Sequence, residues 1–364
     1  MMATTTDNGR LDWVDTAKGI SILLVVMMHS AYGVGEETGS AGVLHWIIGW
    51  ATPFRMPEFF LISGLFLALV IGRDWQRFAD RRVVHYLYFY ALWAVIQIVF
   101  KVGLGTGDPL MALTDIAWAV IEPFGVLWFI YMLAVYSAAT KLLHQLRVPH
   151  WAAFVAGAVL QMAPIATGSG LIDLASEYFV YFYAGYAFAP AIFRLVERAQ
   201  RHVVLAIAGL MAWAVLNGIL VFLPSFEMLP STHPHMGFAD LPGLHLALAL
   251  SGALALCVAA SLIGRLDWMG WLRWLGEHSI VVYLSFSLPM AVTRVVLLKL
   301  DLVTDTSLLS IIVMAVAVAS PLVLYALIQW TGWGRFLFER PAWAHLPGTA
   351  GSRTAPKPAA LPAE

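Results

Sequence analysis

Residues 15–30 read DTAKGISILLVVMMHS, and this stretch decides the fold. After Lys18 the chain carries no charged residue until Glu36, so 19–34 is apolar apart from a few small polar groups and His29. A helix needs about 20 mostly apolar residues to cross about 30 Å of hydrocarbon. Nine further runs follow at 44–71, 83–104, 124–143, 151–167 and 178–193, then 203–223, 244–263, 279–298 and 308–330. They are too long and too uniformly apolar for barrel strands, and in lipid a helix satisfies its own backbone. The expected fold is therefore all-α and polytopic, with about ten transmembrane helices. Composition agrees: 60% of the 364 residues are hydrophobic and 12% are charged, against about 25% charged in soluble chains.

Charge sets the orientation. With the N-terminus inside, all but four of the 21 lysines and arginines fall in the N-terminal segment, the inner loops or the tail. The exceptions are Arg55, Lys101, Arg294 and Lys299. That bias obeys the positive-inside rule and requires an even number of spans, with both termini cytoplasmic. It places the chain in the cytoplasmic (inner) membrane of its cell as a multi-pass protein. Residues 1–18 form a cytoplasmic N-terminal segment, and Met1–Leu11 is polar with no signal-peptide core. The tail 346–364, rich in Pro, Ala and Gly, is expected to be disordered. A net charge of −1 excludes a nucleic-acid partner. The single cysteine, Cys257, permits no intrachain disulfide. The longest outer loop, 224–243, carries His233 and His235 without a cysteine or adjacent acid; it reads as a solvated loop, and no metal is assigned.

Few ionisable groups lie within the spans, and such groups mark function by default. His29 follows Lys18 by eleven residues, three helical turns or about 16 Å of rise, so the two share a face. Asp15 falls near the same stripe. A buried, neutral imidazole suits a general base or a transient acyl carrier; the alternative is a structural histidine bonded to a neighbouring helix. In the second run, Pro53 and Pro57 imply a broken helix. Arg55 and Glu58, three apart, either pair with each other or leave Arg55 to steady an oxyanion in a polar cavity. The loop 72–82 holds Arg73, Arg77, Arg81 and Arg82, with His85 just beyond. Positive-inside bias explains part of this cluster. Bidentate arginine contacts to the phosphates of a coenzyme A thioester are the functional reading.

Together these segments resemble the acyltransferase-3 family of membrane O-acyltransferases over about 10–330. The resemblance rests on Lys18-x10-His29, on PFRMPEFFLISG from Pro53 to Gly64, on LWFI at Leu127–Ile130 and on LGEHSIVVYL at Leu275–Leu284. It implies a catalytic His29 and an essential Lys18; beside them Glu58, Ser63 and Asp15 are expected to have supporting roles. Arg55 joins the catalytic set, and Arg81, Arg82 and His85 would contact the donor. His85 stands where the family's Arg-Arg-x-x-Arg motif ends in arginine. Phe286 stands where many members carry a late histidine. The function implied is transfer of an acyl group such as acetyl or succinyl from cytoplasmic acyl-CoA, a donor substrate rather than a bound cofactor. The acceptor is a hydroxyl of an extracytoplasmic glycan or lipid-linked sugar. Partners are thus acyl-CoA, the sugar acceptor and membrane lipid. The broken second helix and its buried charges also suit a transporter or flippase of an anionic or lipid-linked substrate.

Overall fold

The computed structural model describes residues 12–105 and 107–354. Residues 1–11 of the expected N-terminal segment and 355–364 of the expected tail lie outside the described residues. In chain order the α-helices are α1 (Asp12–Thr38), α2 (Val43–Ala51), α3 (Arg55–Leu65), α4 (Trp75–Ala79), α5 (His85–Ile98), α6 (Pro109–Trp118), α7 (Trp128–Gln145) and α8 (His150–Met162). There follow α9 (Gly170–Ala187), α10 (Ala189–Arg201), α11 (Val203–Phe222), α12 (Pro242–Ile263), α13 (Gly270–Glu277), α14 (Ser279–Ser285), α15 (Ser287–Lys299) and α16 (Thr306–Thr331). The described residues contain no strand; one antiparallel backbone bridge, Glu227 to His235, ties the loop after α11.

This is an all-helical membrane protein. Among the described residues, six helical stretches are long and apolar enough to cross a bilayer, or eight if each bent pair counts as one span. The bent pairs are α9 with α10, at 72°, and α14 with α15, at 54°. They correspond to the runs 178–193 and 279–298, which bend where the sequence suggested continuous spans. Proline supplies the reason: Pro190 and Pro289 cannot donate to the carbonyls four residues back, so neither helix continues straight. The run 44–71 is divided between α2 and α3, as its two prolines imply, and 151–167 contains the 13-residue α8. None of these three helices alone covers about 30 Å at about 1.5 Å per residue.

The chain divides into two compact units. One comprises residues up to Ala68 and Pro149–Ala326; the other comprises Leu69–Val148 and the residues from Leu327 onward. Within the first unit, backbone contacts through glycine fix the helices. A Cβ added at Gly64 of α3 would overlap the Phe182 carbonyl oxygen of α9, and one at Gly185 of α9 would overlap that of Leu61. Gly19 of α1 and Gly276 of α13 meet the opposite backbone in the same reciprocal way, at Leu272 and Asp15. In lipid, where burial of apolar surface gives no drive, such close approach is what holds helices together. Trp13 and Ala17 of α1, Leu61 and Leu65 of α3, and Cys257 of α12 close the core beside these contacts.

In the second unit, α4 and α5 form one continuous helical stretch, Trp75–Leu104, that widens into π-type turns at Asp80–Val84 and Val99–Leu104. The first of these turns carries Arg81 and Arg82, with His85 directly after it. The tail from Leu346 is placed as far as Thr354. The Leu346 amide donates to Asp80 Oδ1 at 2.8 Å, and Thr349 and Ser352 close successive turns.

Candidate active site

Lys18 and Asp15 form the ion pair their spacing allows, Nζ to Oδ1 at 3.0 Å, with Lys18 also 5.2 Å from the centre of the Phe66 ring. Eleven residues on, His29 meets Phe286: their ring centres lie 5.4 Å apart at 39°. Phe286 is fully buried and occupies the bend between α14 and α15. The aromatic residue at the late-motif position is therefore a direct neighbour of His29.

Arg55 and Glu58 do not pair with each other. Glu58 Oε2 accepts a hydrogen bond from Ser21 of α1, while Oε1 is buried without a partner. Arg55, 3% exposed, leaves Nε and Nη1 without hydrogen-bond partners. Its charge instead reaches the hydroxyls of Tyr32 and Tyr178. Ser63 spends its hydroxyl on the Phe59 carbonyl of its own helix, at 2.9 Å. Of the FF-x-x-SG stretch, Gly64 thus packs helices and Ser63 bonds locally, whereas Arg55 and Glu58 carry the exceptional electrostatics.

Arg55 lines a cavity of about 220 Å³ together with Glu177, Tyr178, His233, Asp240 and His245. His29 does not line it. The connection runs through Tyr32, one turn beyond His29 on α1, whose ring meets that of His233 edge-on at 5.7 Å. The loop between α11 and α12 forms one wall. It is held by the Glu227–His235 bridge, by the Met236 amide on Asp240 Oδ2 at 2.8 Å, and by His45 Nε2 against the Pro230 carbonyl at 2.8 Å. The two loop histidines diverge, His235 joining the backbone bridge and His233 facing the cavity. Desolvation by the cavity walls, then the Arg55 charge, pushes the His233 imidazole down to about 4, so it is neutral at physiological pH. Sequence reading noticed His233 as half of a weak metal pair and missed Tyr32 and Tyr178, which look like ordinary aromatic members of apolar runs.

In the second unit, Arg73, Arg77 and Arg81 border a polar cavity of about 480 Å³ with Asp80 and residues 348–350. Arg82 and His85 do not border it. Arg82 Nη1 donates to the Tyr86 hydroxyl at 3.2 Å, and the His85 ring packs on Tyr86 and Phe89. Buried Lys141 steadies the approach to the arginines by donating to the Ile71 and Arg73 carbonyls at 2.6 and 2.7 Å. Beneath the cavity, Asp80 accepts from Arg340 Nη2 at 2.6 Å, its backbone carbonyl accepts from Nη1 at 2.7 Å, and His345 Nδ1 lies 3.2 Å away. This hub escaped sequence reading because Arg340 and His345 lie some 260 residues from Asp80 and match no spacing rule.

Residues 11–326 match the acyltransferase domain that defines the acyltransferase-3 family. The chain belongs to that family. It is accordingly a multi-pass membrane acyltransferase. No curated protein and no solved structure matches it. Within this acyltransferase, the matched region contains Lys18, His29, Arg55, Glu58, Arg81, Arg82 and His85.

Proposed function

We propose that this acyltransferase moves an acyl group, such as acetyl or succinyl, from cytoplasmic acyl-CoA to a hydroxyl of a glycan or lipid-linked sugar on the far side of the membrane. The observation that carries the reading is Arg55: a guanidinium 3% exposed, with Nε and Nη1 unpaired, on a polar cavity whose His233 meets Tyr32, the residue one helical turn beyond His29. Preorganised donors of this kind stabilise the oxyanion that forms when a carbonyl is attacked. His29 acts on the same carbonyl in one of two roles. As general base it takes the acceptor's hydroxyl proton while the oxygen attacks the thioester carbon, the C–S bond breaks and the proton passes to the departing thiolate. As acyl carrier its ring nitrogen attacks the thioester carbon and the C–S bond breaks with loss of the thiolate; the acceptor oxygen then forms the ester bond as the N–acyl bond breaks, and its proton passes to the freed ring nitrogen.

Lys18, held by Asp15, sits about 16 Å from His29 toward the cytoplasmic face. Arg81 contacts the donor phosphates with Arg73 and Arg77, while Arg82 and His85 support that turn. Glu58 and Ser63 support α3 beside the site. Ten crossings with both ends cytoplasmic, in the inner membrane, follow if the α2–α3 pair and α8 each join the eight spans. In oriented vesicles given labelled acyl-CoA on the cytoplasmic face alone, label should reach a glycan on the opposite face. His29→Ala should abolish this while the protein remains inserted. Transfer confined to one face, or normal turnover without His29, would refute the scheme.

A second reading draws on the broken α2–α3 pair and the unpaired Glu58 Oε1. These suit a permeation path for a proton or anion. Anion movement across the membrane without acyl-CoA would favour it.

A further inference from the structure

Away from the site already described, α10, α11 and α12 enclose a groove of about 420 Å³. Its walls are apolar along Leu205, Leu210, Trp213 and Leu254, and Arg198 and His202 stand at one end. We propose that this groove binds one anionic phospholipid, its phosphate at Arg198 and His202 and one acyl chain lying along α11 as far as Trp213.

Length, charge and shape agree on that occupant. From His202 to Trp213 is eleven residues of helix, about 16 Å of rise, which is half of a hydrocarbon core about 30 Å thick: one leaflet, one acyl chain. No acidic side chain lines the groove. Glu197 is engaged by Arg201, and among the described residues Arg198 makes no ion pair. The 72° bend before α10 turns that helix away from the direction of α9. Its buried Ile192, Val196 and Ala199 form one face, leaving Arg194, Arg198 and Arg201 exposed in the manner of an interfacial helix. Arg265 joins the same end, donating to the Gln200 carbonyl at 3.0 Å. Gly209 opens the groove wall, where an added Cβ would meet nothing within 4 Å. The far end is closed by Trp213, whose indole donates to Ser251 Oγ at 3.2 Å and whose ring meets Phe54 edge-on at 5.1 Å. A second helix, about 10 Å across, exceeds such a slot.

The proposal stands apart from the acyl-transfer reading and needs no activity assay. The full chain, stripped of lipid, would be incubated with phosphatidylglycerol or phosphatidylcholine of identical chains, and retained lipid measured by native mass spectrometry. Phosphatidylglycerol should be retained about fivefold better, the preference one interfacial arginine confers. Arg198→Gln should erase that preference. Gly209→Leu should lower retention of both lipids with thermal unfolding unchanged, and Ala206→Phe replaces it if that variant fails to fold. Equal retention of the two lipids, no effect of either substitution, or displacement by long-chain acyl-CoA but not by phosphatidylglycerol would overturn the proposal.

Discussion

Arg340→Met tests the hub beneath the arginine cavity. In the native protein Arg340 and Asp80 are 4% and 2% exposed and bonded at 2.6 Å. Methionine keeps most of the side-chain volume and removes both guanidinium donors, stranding the carboxylate with the Leu346 amide and His345. Breaking a buried pair from one side costs about 3–5 kcal/mol. Asp80 also borders the 480 Å³ cavity, so water relieves part of the penalty and the low end applies, about 3 kcal/mol. For a chain of 364 residues that corresponds to a fall of about 4 °C in Tm. Thermal unfolding in detergent or nanodiscs measures it, and limited proteolysis should show earlier cleavage within 346–354, the turn that Asp80 holds. The double variant Asp80→Asn/Arg340→Met removes the stranded charge and should recover to within about 1 kcal/mol of the native protein. A single variant within about 0.5 kcal/mol of native, or a double variant that loses the sum of both singles, would refute the reasoning.

Gly64→Ala should cost about 1–3 kcal/mol by forcing α3 off the Phe182 carbonyl, and Gly185→Ala should match it; unchanged unfolding of both would show that the helices are not in backbone contact. Arg81→Gln should weaken acyl-CoA binding by about tenfold, the worth of one charge-assisted contact, and Arg82→Gln by less because its guanidinium is engaged with Tyr86; equal losses in isothermal titration would contradict the pocket assignment. His233 has a folded-state value near 4, below its unfolded value near 6.5. The unfolded chain therefore binds the extra proton between those values, and this contribution makes stability fall as pH drops from 6.5 to 4. His233→Gln should flatten that part of the profile, and an unaltered slope would remove His233 as its source.

The all-helical, membrane-spanning architecture was legible because hydropathy obeys a rule that needs no partner. The Lys18–His29 stripe could be read from helical geometry, as could the Asp15 contact. Proline marked the break before α3 correctly, since a missing N–H is a local fact. The bends at Phe188 and Phe286 went unread although Pro190 and Pro289 were in plain view, because a proline inside an apolar run is also compatible with a tolerated kink. Arg55 and Glu58 show the opposite difficulty. Spacing of three permits a pair, and only the approach of Ser21 and Tyr32 from another helix decides that each turns elsewhere. The Arg-rich turn was visible as a cluster, but its division into cavity-facing Arg81 and engaged Arg82 depends on side-chain direction and on tail residues distant in sequence.

The interrupted helices are more than exceptions to a regular bundle. A straight helix in lipid consumes its own backbone groups and presents side chains alone, so it has difficulty placing a bare charge or a bent aromatic wall at mid-membrane. This chain breaks α2 from α3 at 52–54, and the first residue after the break is Arg55. It bends α14 from α15 at Phe286, and that residue lies against His29. Both interruptions face α1, which itself runs unbroken for 27 residues. A rigid helix carrying Lys18, His29 and Tyr32, opposed by broken ones, fixes the polar groups along one axis while leaving room beside them. In the proposed scheme, proline in the partner helices is therefore as much a part of the site as His29. Replacing Pro53 or Pro57 should disturb Arg55 before it disturbs insertion, because the helices on either side of the break have their own backbone hydrogen bonds.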